Sequence, residues 1–295
     1  MSARVWPAAA LPPRGRIRPR ANPVRRLLRN PRTVFGAVVL GALGVAALLA
    51  PVVAPSAPDH ADFLARLSPP GARHLLGADH LGRDVLSRVI WASRTSLAIG
   101  VVSAVVAVAL GVVLGGIAGF SGGWIDALLM RSTDIVLAFP VFFIAVMFLA
   151  LFGPSVPGLI LVLGATSWPP SARLVRAEFL RLRQLDFIAA ARALGASNLR
   201  IMARHLLRNV VAVVVISVTL RVGLAILAEA SLSYLGLGVQ PPTPSWGNII
   251  ADGRNYLLTA WWISLFPGLF VFLSVLAFNL IGDGIRDAFD PKMQI

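Results

Sequence analysis

The chain alternates long apolar blocks with short charged segments. Because about 20 apolar residues cross a bilayer core of roughly 30 Å, a long uncharged block predicts a membrane-spanning helix. The block at 135–172 is long enough for two spans, which the Gly- and Pro-rich segment 153–158 would separate by a turn. We therefore predict an all-α integral membrane protein with six transmembrane helices. The blocks that supply them are residues 33–54, 95–125, 135–172, 209–227 and 255–282.

The positions of the arginines orient these spans. Positive residues are more frequent in cytoplasmic than in external loops. Residues 1–32 hold nine Arg and no acidic residue, and six crossings from a cytoplasmic tail put 20 of the 27 basic residues inside and six outside. The predicted organisation is a basic cytoplasmic tail at 1–32, a first helix at 33–54, an external loop at 55–94, a core of five helices at 95–287 with a cytoplasmic loop near 173–208, and a cytoplasmic C-terminal tail at 288–295.

Composition excludes several classes of function. Hydrophobic residues make up 57% of the chain and charged residues 14%, as expected for a membrane protein. The absence of Cys excludes disulfides and Cys-based metal sites. Lys292 is the only Lys and lies outside any GxxxxGK[ST] pattern, so ATP hydrolysis through a Walker A loop is excluded. The net charge of +14 suggests contact with membrane lipid rather than nucleic acid, since the basic tail has a single aromatic residue, Trp6.

Residues 186–209 form the most informative polar segment. Asp186 begins a run of helix formers, Gly195 can end it as a C-cap glycine, and Ser197 can cap a second helix. A basic, amphipathic helix–turn–helix of this kind can lie on the membrane, satisfy the topology of a multi-span protein, or bind a partner. Two faces are predicted for its second helix, one with Leu199, Met202, Ala203 and Leu206 and the other with Arg200, Arg204 and Arg208.

The order of residues in "AAARALGASNLRIMARHLLRN" (189–209) resembles the EAA loop of ABC importer permeases. Ala190, Ala191 and Gly195 occupy matching positions. Ala189 stands where the family usually has Glu, and Arg208 where it often has Pro. The resemblance implies that this loop docks on an ATP-hydrolysing subunit and transmits its motion. The candidate coupling residues are Asp186, Ala189, Ala190, Ala191, Arg192, Gly195, Ala196, Ser197, Leu199, Arg200, Met202 and Arg204.

Three further stretches, residues 76–97, 225–257 and 266–292, resemble the dipeptide/oligopeptide/nickel branch of these permeases, in its second subunit type. The resemblance implies a type I ABC importer permease fold in a bacterial inner membrane. It also implies a second homologous permease subunit, two ATP-binding subunits and an external substrate-binding protein as partners. ATP and Mg²⁺ would be bound by the partner subunits, so this chain is expected to be a transport subunit, without enzymatic activity, a bound cofactor or a metal.

Two ionisable residues stand in or near an otherwise apolar span. Charges inside a membrane are costly and usually face a pathway, a bundle interior or each other. Arg221 and Glu229 are eight residues apart, about 12 Å along a helix, which disfavours a direct pair. Both are pathway candidates. The alternatives are that Arg221 faces the partner permease and that Glu229 caps a kink without binding substrate.

The predicted external loop contains "GADHLGRD" (77–84), with Asp79, His80 and Asp84. Such a cluster suggests a metal site as one interpretation. Asp and Gly at this density more often form a turn and cap the next helix. The Pro-rich segment 239–250 predicts an irregular loop on the same face. The candidates for docking of an external binding protein are Gly82, Arg83, Asp84, Trp246 and Gly247.

The glycine spacing in "GVVLGGIAG" (111–119) predicts a close helix–helix contact through Gly111, Gly115 and Gly119.

For the function, the predicted substrates are short peptides and, as a second choice, nickel. The rival hypothesis is a stand-alone ion-coupled secondary transporter. That rival requires ionisable residues near the membrane midplane and interrupted helices in an inverted repeat.

Overall fold

A computed structural model describes residues 27–289, and its regular elements are helices. Residues 1–26 of the predicted N-terminal tail and 290–295 of the predicted C-terminal tail lie outside this range. A π-helical segment covers Ile201–Leu206, and 3₁₀ turns cover Phe63–Ala65 and Arg254–Tyr256. The α-helices are α1 (Pro31–Leu48), α2 (Ala50–Val53), α3 (Val85–Ser121), α4 (Gly123–Ala138), α5 (Val141–Phe152), α6 (Val156–Thr166), α7 (Pro169–Leu182), α8 (Asp186–Ala193), α9 (Asn198–Arg200), α10 (Leu207–Tyr234), α11 (Trp246–Gly253) and α12 (Trp262–Phe289).

Several of these helices can span a membrane. Within residues 27–289, α1, α3, α12 and the continuous helix Asn198–Tyr234 are long and apolar enough to do so. A fifth span is obtained if α4 and α5, which are bent by 77° at their junction, count as one. The prediction of a multi-span helical protein is thus confirmed, whereas length and composition give four or five spans rather than six.

The number of spans differs because each block predicted as span three or span four is interrupted by a helix break. Phe139 is extended before Pro140, as residues before proline usually are, and this ends α4. Ser167 ends α6 just before Pro169. The resulting α5 and α6 have 12 and 11 residues, too short to cross about 30 Å alone. The predicted break between them is confirmed at 153–155, with Ser155 as the N-cap of α6, whereas residues 156–158 already belong to that helix.

Helix α3 is longer than the sequence pattern indicated. It begins at Val85 instead of near residue 95, so the last ten residues of the predicted loop 55–94 are helical. The cause is Asp84, whose carboxylate accepts a hydrogen bond from the backbone N–H of Ser87 at 2.8 Å. The hydropathy pattern predicts a loop here because the first turns of α3 contain the charged residues Arg88 and Arg94.

The centre of the bundle is α3, which packs against α6, α7 and α10. Its glycine face meets α7, since a Cβ on Gly111 would lie 2.6 Å from Ser171 Cβ and one on Gly119 would lie 2.7 Å from Arg176 O. The predicted small-residue contact is therefore confirmed, and Gly115 belongs to it through Ala172. Helix α10 packs against α12, which in turn packs against α1 at the edge of the bundle.

Candidate functional site

Residues 186–206, which we call the elbow, lie between α7 and α10. Helix α8 ends in a Schellman motif, in which Gly195 N–H donates to Arg192 O and Ala196 N–H donates to Ala191 O. Gly195 has a φ of +78°, a conformation that glycine adopts without strain. Ser197 then caps α9 by accepting from the backbone N–H of Arg200. The predicted helix, glycine stop and serine cap are all confirmed.

The second helix of the elbow differs from its prediction in two ways. It does not end near Asn209, because α9, the π-helical segment and α10 form one helix of 37 residues, Asn198–Tyr234. Its buried side chains are Ile201, Leu206 and Val210, whereas Leu199 is 75% exposed. The reason is the π-helical segment, which lengthens one turn and brings residues five apart onto the same face.

The underside of the elbow is packed, while its tip is apolar and exposed. Ile188, Ile201 and Leu206 are fully buried in a cluster with Val175 and Phe179 of α7. At the tip, Leu194 is 88% exposed and Leu199 is 75% exposed. A well-supported loop that displays large apolar side chains is typical of an interaction site.

Leu194 is the tip residue that the sequence reasoning missed. The signal was its position directly before the C-cap glycine, where no further helical turn can cover it. Among the predicted coupling residues, Ala191 is buried and Ala196 and Met202 are half-buried. The exposed ones are Asp186, Ala189, Ala190, Arg192, Gly195, Ser197, Leu199, Arg200 and Arg204.

Arg221 lines a cavity of about 210 Å³ near the middle of α10. The cavity lies beside both helix breaks, because Phe142 in the first turn of α5 and Ser167 at the end of α6 contribute to its wall. Ser103 of α3 completes the polar part of the lining, and Leu224, which is 57% exposed, connects it to the surface of this chain. This placement agrees with Arg221 as a pathway candidate.

Glu229 is placed differently from its prediction, since it is fully buried and does not line this cavity. Its carboxylate accepts hydrogen bonds from the hydroxyls of Ser96 at 2.9 Å and Ser233 at 2.7 Å. Those hydroxyls in turn accept from the backbone N–H groups of Trp246 and Val239. Glu229 therefore links the segment 239–246 to α3 and α10, in keeping with the structural alternative, while its pathway role stays a prediction.

At the other end of α3 and α10, residues 55–84 and 235–261 pack together, and we call this region the cap. Asp79 is fully buried and pairs with Arg83 at 2.6 Å and Arg88 at 2.7 Å. Burial alone would raise the pKa of the Asp79 carboxyl, but Arg88, Arg83 and two backbone N–H donors together bring that pKa below its ordinary value. Asp252 also accepts from both arginines, so one ion-pair network joins the two loops.

Asp79, His80 and Asp252 form the acidic cluster of the cap, whose two carboxylates pair with arginines. The ligand atoms of Asp79, His80 and Asp252 lie within 4.8 Å of one another, a spacing that could suit a cation. Arg83 and Arg88 already supply the positive charge to both carboxylates. The predicted alternative, a turn that caps the next helix, is confirmed by Asp84 at the start of α3.

Most of the predicted docking residues are inside the cap. Gly82, Asp84, Trp246 and Gly247 are buried, and Arg83 is half-buried in the ion-pair network. The Trp246 indole donates to Val89 O at 3.2 Å, and a Cβ on Gly247 would lie 2.6 Å from Ala230 O. Trp246 and Gly247 thus pack the cap against α3 and α10, and the docking role of the five residues stays a prediction.

Comparison with known proteins identifies the family to which this chain belongs. A family model described as binding-protein-dependent transport system inner membrane component matches residues 111–295. The chain belongs to this family. A second model, described as the N-terminal transmembrane domain of oligopeptide transport permease C, matches residues 22–70 of the permease. The predicted family resemblance is thereby confirmed.

Similar relatives cover most of the permease. It is 40% identical to the dipeptide transport system permease protein DppC of Alkalihalophilus pseudofirmus over 92% of this chain and 89% of the relative. It is 45% identical to the di/tripeptide transport system permease protein DppC of Pseudomonas aeruginosa, over 84% of each chain. It is 43% identical to the glutathione transport system permease protein GsiD of Pectobacterium atrosepticum, over 76% of this chain and 75% of the relative.

This family membership decides between the two hypotheses from the sequence. The permease is a helical, multi-span membrane protein of the peptide transport permeases, and its relatives are transport subunits. The rival hypothesis of a stand-alone ion-coupled transporter gains no support. Among the described residues, one pair of helices, α4 and α5, is bent as an interrupted span would be, but the chain belongs to another class of transporter.

Proposed function

We propose that the permease forms the translocation pathway of an ATP-binding-cassette importer for short peptides and couples to its ATPase subunits through the elbow. The observation that carries this proposal is the exposure of Leu194 and Leu199 on a loop whose underside is fully packed. Relatives named for dipeptides, di/tripeptides and glutathione support a peptide rather than nickel as the substrate.

The proposed assembly contains a second homologous permease, two ATP-binding subunits that hold ATP and Mg²⁺, and an external substrate-binding protein. We place the permease in a bacterial inner membrane with six crossings and both termini in the cytoplasm. In this arrangement α5 and α6 each cross together with a neighbouring helix, α4 or α7. The arginine-rich segment 173–208 then lies on the cytoplasmic side with the elbow, in agreement with the positive-inside rule.

The continuous helix Asn198–Tyr234 supports a mechanical role for the elbow. At 1.5 Å per residue, about 33 Å of helix connects Leu199 at the tip with Arg221 at the cavity. Closure of the ATPase subunits on ATP would displace the elbow, and this helix would carry the displacement to the helices around the cavity. Hydrolysis would return the elbow and close the outward path, which gives alternating access.

The test is a charge placed at the tip. Leu194→Glu should lower the amount of ATPase subunit that co-purifies with the permease by more than about tenfold, the size of a central interface contact. Leu258→Glu is the matched control, because Leu258 is 99% exposed in the cap and the same substitution there should leave co-purification unchanged. Equal recovery of ATPase subunits with both variants would contradict docking at the tip.

A second experiment identifies the neighbour of the elbow directly. The chain has no Cys, so Ser197→Cys provides a single thiol for crosslinking. A crosslink to the ATP-binding subunit is expected, and recovery of lipid adducts alone would overturn the proposal. The purified permease by itself should show no ATPase activity, and uptake by the complete importer should require ATP rather than an ion gradient.

A further inference from the structure

The central cavity contains polar groups that the fold itself does not use. Arg221 lines it and, among residues 27–289, forms no ion pair or hydrogen bond with another side chain. Ser103 also lines it, is 1% exposed, and its hydroxyl has no partner among the described residues. A buried hydroxyl without a partner costs free energy, so an unfilled partner position is a sign of a ligand.

A helix N-terminus adds to the same positive environment. Val141 and Phe142, the first two residues of α5, line the cavity, and no side chain caps this end of the helix. The first N–H groups of a helix have no intrahelical acceptor and carry partial positive charge. None of the described residues that line the cavity is acidic, so the guanidinium, the hydroxyl and these N–H groups all favour an anion.

We propose that this cavity binds the terminal carboxylate of the transported peptide, with Arg221 and Ser103 as its side-chain ligands. This inference rests on the proposed function. Every linear peptide carries that carboxylate whatever its side chains, so one fixed site can serve many sequences. The remaining lining is apolar, with Leu163 and Leu232 among its members, and it accommodates side chains without selecting them.

The size and opening of the cavity agree with a terminal residue as the occupant. About 210 Å³ is less than the roughly 300–1,000 Å³ of pockets that enclose a drug-sized ligand. The exposed Leu224 lies at the surface of the cavity, so the rest of a peptide can extend beyond this chain. Arginine suits the role because its planar guanidinium donates two parallel hydrogen bonds to a carboxylate.

The test compares alanyl-alanine with its C-terminal amide, which has the same shape and lacks the negative charge. The complete importer, with its binding protein and ATP, is reconstituted with wild-type permease, Arg221→Gln or Arg221→Lys. Arg221→Gln should lower uptake of the free peptide about tenfold, the factor for one charge-assisted contact, without lowering uptake of the amide. Arg221→Lys keeps the charge but cannot donate two parallel hydrogen bonds, so its uptake should lie between those of wild type and Arg221→Gln. Ser103→Ala should reduce uptake about threefold.

Each outcome decides a different point. Equal losses of both substrates in Arg221→Gln, or no loss of either, would overturn the carboxylate site. Loss of the partner permease from the purified Arg221→Gln complex would also overturn it, and would show that Arg221 pairs with a carboxylate of the partner. If the wild-type importer does not accept the amide, uptake of the free peptide per ATP hydrolysed is compared, and equal values for Arg221→Gln and wild type would refute the site. Failure of wild-type uptake of any peptide would instead refute the proposed function.

Discussion

The cap and the elbow lie at opposite ends of α3 and α10 and use their side chains in opposite ways. The cap buries its charges: Asp79 is fully covered, and Arg88 in the first turn of α3, with which it pairs, is almost fully covered. The elbow exposes its apolar residues, with Leu194 and Leu199 largely open to solvent. The comparison shows that a charged residue need not mark a surface and that a leucine need not mark a core.

The physical reason is whether the side chains of each region find their partners within the same chain. In the cap, each buried carboxylate meets a guanidinium or backbone N–H groups from the same chain, so the region is satisfied without a partner. The apolar tip of the elbow has no such cover within the described residues. Substitutions in the cap should therefore act on stability, and those at the elbow on coupling.

The largest effect on stability is expected from Asp79→Ala. The change leaves the guanidinium groups of Arg83 and Arg88 without their buried partner, which should cost about 3 kcal/mol of unfolding free energy. Thermal unfolding of the purified importer measures this cost. The control is Arg73→Ala, which breaks an exposed pair with Asp62 and should cost less than about 1 kcal/mol. Equal shifts in the two variants would remove the distinction between the buried network and a surface pair.

The same network predicts the response to acid. Because the pKa of Asp79 lies below its ordinary value of 3.8, the charged carboxyl contributes stability at all pH values above that ordinary value. This contribution is lost as the pH falls through the lowered pKa. The difference in unfolding free energy between wild type and Asp79→Asn should stay constant from neutral pH to near 4 and then shrink. A difference that shrinks between pH 7 and pH 5 would contradict the lowered pKa.

The close contact between α3 and α7 should be destabilised by a bulky residue at Gly115. A Cβ there would lie 2.8 Å from Ala172 Cα, so Gly115→Leu must separate α3 from α7. The expected cost is about 1–3 kcal/mol, with a matching loss of uptake. Gly44→Leu on α1 provides the control, because a Cβ on Gly44 has no described atom within 4 Å. Tolerance of Gly115→Leu in both measurements would contradict the close helix contact.

Glu229→Gln tests the fastening of the cap to the bundle. Ser96 and Ser233 each accept from a backbone N–H and donate to the Glu229 carboxylate. The amide NH₂ of Gln meets a hydroxyl oxygen that is already an acceptor, which should cost about 1–2 kcal/mol. If Glu229 contacted substrate instead, uptake would fall without a change in the unfolding temperature.

At Gly195 we expect a small effect on stability and a large effect on coupling. A leucine there must adopt a φ of +78°, at a cost of about 1–2 kcal/mol, or else change the shape of the elbow. Gly195→Leu should insert normally and lose ATPase stimulation by the loaded binding protein. Gly195→Asn should keep most of it, since Asn tolerates this conformation better. Persistent uptake with Gly195→Leu would contradict coupling through the elbow.

The elbow could be predicted because its signals are local. Gly195 and Ser197 act through backbone groups within five positions of themselves, and Asp186 adds a negative charge to the first turn of α8. A short window of sequence therefore contains the whole argument. The buried face of its second helix could not, because a π-helical turn changes which residues share a side. Leu194 does have a local signal, its position directly before Gly195, but only the structure shows that no other part of the described chain covers it.

The sequence by itself determined the apolar blocks, the glycine face of α3 and the caps of the elbow, because hydropathy and capping depend on neighbouring residues. Only the tertiary structure decided that Asp79 and Trp246 are internal, that Glu229 fastens a loop, and that Arg221 and Ser103 share a cavity. These outcomes depend on contacts between distant positions, such as Arg88 with Asp252, 164 residues apart. Such pairs are selected by the packing of whole helices, which no local pattern encodes.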